Sequence, residues 1–236
     1  MVGLICRCAI CRTVDVRYHP LRGFGSSPDG GKYFQQLLGD PRIIHWYCEN
    51  HDMSHPKIST LPCGMVGTDP DSVWDDVQDT ANAAPLADRP LQFMISDRLR
   101  NGGQWIARAE VAEKCMHSSM CVRPSQLEIS HPEFLKHMVS VAFIACVHGG
   151  GSDPSPKAFE AILHGTIPII QHAVLDDAYE KLPVMFVNDW SELFGSTEEV
   201  TQLLQSWLTK LAPYYEKNSE LRQRTLDVSY CSDTLL

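Results

Sequence analysis

The sequence predicts an α/β fold, a parallel sheet with helices on both faces. Three observations lead there. From about residue 91 onward, short apolar runs alternate with helix-patterned runs. One such run, "SVAFIACV" (Ser140 to Val147), is apolar almost throughout, as a strand covered on both faces must be. It leads into "HGGGSDPSPKAFEAILHGTIPII" (His148 to Ile170), which reads as a glycine loop, a helix and a strand, completing a βαβ unit.

The elements follow in order. "GLICRCAI" and "RIIHWYC" read as strands, and "GKYFQQLLGD" between them as a short helix closed by Gly39. Next comes "GTDPDSVWDDVQDTANAAPLADRP", Gly67 to Pro90, acidic and poor in aliphatic residues. It reads as a linker between two lobes. Beyond it, "LQFMIS" is a strand. "GQWIARAEVAEKCM" is a helix with an apolar stripe at Trp105, Ile106, Ala109, Val111 and Ala112. "HPEFLKHM" is a short helix and "PVMFVND" a further strand. Val200, Leu203, Leu204, Trp207, Leu208 and Leu211 follow helical spacing, with a cap at Ser196 or Thr197.

The chain has 236 residues, 44 % hydrophobic and 21 % charged, an ordinary globular composition. Its formal net charge of -9 argues against sequence-independent nucleic-acid binding, which needs cations to neutralise phosphates. The start "MVGLICRCAICR" is too short and too basic to span a membrane, and no secretory signal stands there. With several of the nine cysteines in apolar runs, the expectation is a reduced, cytoplasmic protein. Cys6, Cys8 and Cys11 read either as strand cysteines or as half of a zinc site without a matching second pair.

Chemistry concentrates between His148 and Ile170. Gly149, Gly150 and Gly151 allow a sharp turn and a close ligand approach. Ser155 suits an N-cap, Pro156 the first helical position and Gly165 the C-terminal stop. At 100° per residue, Phe159, Ile162 and Leu163 share one side and Lys157, Glu160 and His164 the other. A lysine in a first helical turn opposes the helix dipole, and an anionic ligand would explain it. Lys157 and Glu160 therefore read in two ways. They are a grip on a nucleotide diphosphate and its ribose, or a solvated ion pair worth about 0.2–0.5 kcal/mol.

This segment resembles the nucleotide-sugar motif of GT-B glycosyltransferases of the exostosin family, in Ser155, Pro156, Lys157, Glu160, Ala161, Gly165, Ile167 and Pro168. Lysine stands where that family usually has arginine, which keeps the charge and loses the bidentate fork. "HWYCENHDMSHPKISTLPCGM" and "ISDRLRNGGQWIARAEV" are more weakly similar to family segments, so the likeness spans roughly residues 42 to 192. The resemblance implies a GT-B-like α/β fold, two Rossmann-type lobes with a cleft between and a reduced N-terminal lobe. The lobes would be an acceptor side at 1–85 and a nucleotide-sugar side at 86–195, with helices at 196–236 packing on both.

The implied function is inverting transfer of a sugar from a nucleotide sugar to a glycan hydroxyl, with UDP-sugars such as UDP-xylose favoured and no cofactor or metal required. The alternatives are a non-catalytic nucleotide-sugar or glycan binder, and an epimerase or hydrolase on the same scaffold. Arg98, Arg100 and Arg108 are candidates for the diphosphate. Arg98 and Arg100 follow "LQFMIS", whereas Arg108 reads more readily as an exposed helix charge. Asp153 suits a sugar hydroxyl or a turn. For the base that takes the acceptor proton, His51 and Asp52 follow a strand and are the leading candidates, beside Asp29 and His55. "DPD" at Asp69 to Asp71 superficially matches a metal motif but reads as a loop.

Overall fold

Two parallel sheets organise the chain in a computed structural model that describes residues 4–5, 36, 38–48, 54–60, 83–96, 105–124, 129–149 and 156–216. The first sheet contains β1 (Leu4–Ile5), β2 (Trp46–Cys48) and β3 (Ile58–Thr60), in that spatial order. The second contains β4 (Phe93–Ile95), β5 (Cys121–Val122), β6 (Phe143–Ala145), β7 (Ile167–Gln171) and β8 (Met185–Val187). Every pairing in it is parallel, and the order is β5-β4-β6-β7-β8. Counted from β4, that is 2-1-3-4-5, a common doubly wound order whose winding reverses between β4 and β6.

Strand sidedness explains why helices cover both faces. Phe93 and Ile95 of β4 point one way and Met94 the other, and all three are buried. On the first face lie α1 (Ile106–Cys115) and α4 (Thr197–Leu211), through Val111, Ala112, Val200 and Leu204. The second face is covered by α2 (His131–Met138) and α3 (Lys157–Leu163), through Leu135, Met138, Ala161 and Ile162. A wholly buried leucine such as Leu204 contributes about 1.5–3 kcal/mol by transfer from water. The cap expected for α4 is at Ser196, which forms a capping box with Glu199. No helix among the described residues is long and apolar enough to cross a membrane.

The end of the expected linker is packed on the second sheet. Leu86 joins its core. Arg89 is buried, with Nε donating to the Ala84 carbonyl at 2.9 Å and Nη1 to Thr166 Oγ1 at 2.8 Å. Gly165, at φ +75°, closes α3 as expected. Its N–H bonds the Ile162 carbonyl at 3.2 Å, and that of Thr166 bonds the Ala161 carbonyl at 2.8 Å. Arg89 thereby ties the entry of β4 to the entry of β7.

The expectation of reduced cysteines fails at one pair. Cys115 ends α1, Cys121 begins β5, and the two are joined in a disulfide with their Cα atoms 5.3 Å apart. The tight turn between them brings the sulfurs together. β5 pairs with β4 through only two residues, so the crosslink also holds an edge strand in place. Closing so small a ring constrains the unfolded chain by about 2 kcal/mol. Reduction by a phosphine should lower the unfolding free energy by about that amount in a urea titration. An unchanged midpoint would show that the crosslink adds nothing to stability.

Candidate functional site

At the reversal of the sheet a crevice opens at the carboxyl ends of β4 and β6. It is lined by Ile95 and Ser96 from one strand end, Ala145 and Val147 from the other, and Arg108, Val111 and Lys157 from the helices. Adjacent strand ends diverge where the connections depart to opposite faces, so ligands of open α/β sheets bind there. The void measures only about 10 Å³, roughly one water, so a ligand would lie across its mouth.

Arg108, the weakest of the three arginine candidates, lines the crevice and is not the exposed helix charge it resembles. It is 9 % exposed, and its Nε donates to the Val147 carbonyl at 3.0 Å. Its guanidinium lies over the Trp105 ring, 4.7 Å from the centroid. The buried positions of α1 are Arg108, Val111, Ala112 and Cys115, so the stripe is rotated from the one expected. Ile106, assigned to the stripe, is 56 % exposed. The arginine continues the i, i+3, i+4, i+7 series backwards from Cys115, a signal the sequence does contain.

Lys157 begins α3 and reaches the same crevice. Part of its side chain faces solvent, but its ammonium is crowded by protein. Desolvation chiefly, and then the neighbouring Arg108 guanidinium, lower its pKa from 10.5 to about 8, while Cys146 and Glu160 only partly oppose this. Two cations therefore converge on one opening of an acidic chain, at a cost to the lysine.

Glu160 and His164, read onto the same side as Lys157, do not line the crevice with it. Glu160 Oε1 lies 3.4 Å from His131 Nε2, and the Glu160 side chain is 18 % exposed. His164, expected on the polar side, is 5 % exposed, because the helix ends at Leu163 and the turn at Gly165 folds it inward. Space around Gly149 is taken by protein. A Cβ there would stand 2.3 Å from the Trp105 ring and 3.0 Å from Arg108 Nη2. Absence of a side chain at 149 is what lets the tryptophan and arginine close against the end of β6.

Among the remaining candidates, His51, Asp52, Arg98, Arg100, Gly150, Gly151, Asp153 and Ser155 lie outside the described residues, as do Asp29, the "DPD" stretch, Cys6, Cys8 and Cys11. His55 accepts the Lys57 backbone N–H at 3.1 Å. It stabilises the turn at the amino end of β3, the wrong end for a cleft at carboxyl edges. No group of three or more metal-ligating side chains occurs among the described residues. No family model and no curated protein matches this chain.

The lysine makes the site testable without a ligand. Below pH 8 the folded chain holds a proton on Lys157 less tightly than the unfolded chain does. That penalty is present in full there and is relieved as pH rises from about 8 to 10.5. Lys157→Met should therefore be more stable than wild type at pH 7, with the difference shrinking toward pH 10.5 in urea titrations. A variant less stable at pH 7, or a difference independent of pH, would contradict the crowded-cation account.

Proposed function

We propose that the protein is a nucleotide-sugar-dependent glycosyltransferase of the inverting type, with the crevice between β4 and β6 holding the donor diphosphate. The observation that carries the reading is the convergence of Arg108 and Lys157 at the switch point of the parallel sheet. A diphosphate laid across them relieves the mutual repulsion of the cations and restores the proton affinity that Lys157 has lost. In the transition state the same cations stabilise the charge growing on the leaving diphosphate. This assigns to side chains the work that a metal ion performs in other transferases.

Glu160 follows Lys157 by one turn, and its carboxylate suits the two hydroxyls of a ribose. The resemblance of this segment to the exostosin motif supports transfer over mere binding, and supports UDP as the nucleotide. The GT-B arrangement belongs to the same proposal. Its support is the second parallel sheet, whose β3 ends at Thr60, where the backbone N–H donates to Asp177 Oδ2 at 3.2 Å and the hydroxyl to Asp177 Oδ1. Asp177 lies in the turn that follows the carboxyl end of β7, so the carboxyl end of β3 touches the connection leaving β7, with the acceptor side on the smaller sheet.

Calorimetry with UDP tests the reading. Wild type should bind, and Glu160→Ala should weaken binding at least tenfold while keeping the wild-type circular dichroism. Equal affinity in that variant would remove Glu160 from the site. Sugar transfer from a UDP-sugar panel to a glycan panel should persist in excess chelator. Loss of transfer in chelator, restored by Mn²⁺, would show that a metal carries the leaving group.

A further inference from the structure

We infer that His172, oriented by Asp176, is the general base of the reaction, an assignment that rests on the transferase reading of the crevice. His172 directly follows β7, on the carboxyl edge that also carries the crevice. β7 adjoins β6, with Ala145 opposite Ile169, so the backbone at His172 lies one strand over from the end of β6 that Arg108 grips, while the ring leans toward β8.

Three contacts fix the ring. Nδ1 lies 2.6 Å from Asp176 Oδ2. The imidazole stacks on Phe186 with centroids 4.7 Å apart and planes within 8°. Its backbone N–H donates to the Val187 carbonyl at 2.9 Å, locking the residue to β8. The carboxylate is itself held, because Oδ1 accepts the Ala173 N–H at 2.9 Å. A carboxylate on Nδ1 selects the tautomer with its proton there, which leaves Nε2 as a proton acceptor. The His172 side chain is 48 % exposed, so an acceptor can reach it.

The location fits the role. Asp177, next to the orienting aspartate, makes the contact with Thr60 of the smaller sheet, so the dyad adjoins the point where the end of β3 touches the turn after β7. An acceptor hydroxyl bound there gives its proton to Nε2. Its oxygen forms the new bond to the anomeric carbon from the face opposite the leaving group. The bond from that carbon to the phosphate oxygen breaks, and its electron pair leaves with the diphosphate at Arg108 and Lys157. His172 is the catalytic residue in this scheme and Asp176 a positioning residue.

The test measures UDP release from a UDP-sugar panel with glycan acceptors, alongside calorimetry of UDP, on the full chain. His172→Gln should lower kcat at least a hundredfold with the Kd for UDP within threefold of wild type. Added imidazole should restore part of the activity of His172→Gly. Asp176→Asn should lower kcat with the donor KM unchanged and remove the hydrogen-bonded Nδ1 proton resonance of His172. UDP binding with undiminished turnover in His172→Gln would overturn the base and leave the crevice standing. A wild type that binds UDP but turns over no donor would overturn the base as well. Failure of wild type to bind UDP would overturn the crevice reading and the base with it.

Discussion

The site depends on one contact, the hydrogen bond from Arg108 to the carbonyl of Val147. It pins a guanidinium of the first-face helix to the end of the central strand, at the point where the sheet reverses its winding. Trp105 covers the guanidinium from one side, and glycine at 149 leaves room for both groups. Lys157, crowded by protein beside it, loses proton affinity first through desolvation and then through the arginine, a neighbour of its own sign. On the proposed reading, an anion at the crevice mouth lies within reach of both cations. Topology, the helix register and the charge on the lysine therefore converge on one small volume.

Much of the second sheet was legible because burial on both faces leaves a plain mark. "SVAFIACV" and "TIPII" are apolar at successive positions, and both are central strands. α4 was legible from its apolar spacing and from the Ser or Thr cap at its start. β5 was not, since two residues carry no period and its place is set by pairing with β4 and by the disulfide.

The site was legible in part. Lys157 stood out because a cation in a first helical turn asks for an explanation. Arg108 is the weakest arginine candidate in the sequence because helix arginines usually face water. A stripe begun at Trp105 and Ile106 leaves it outside, whereas Val111, Ala112 and Cys115 set the register and place the arginine inward. His172 and Asp176 are four residues apart and share no helix, the 3-10 turn beginning only at Asp176, so the turn after β7 brings them together. His164 shows the reverse error, since a helical wheel extended past the last helical residue misplaces the side chain beyond it.

The most direct measurement of the central claim is a crystal structure of the chain grown with saturating UDP. The diphosphate should lie across the carboxyl ends of β4 and β6, with phosphate oxygens within hydrogen-bond distance of the Arg108 guanidinium and Lys157 Nζ. UDP bound elsewhere with both cations untouched, or a crevice without nucleotide at saturation, would contradict the account.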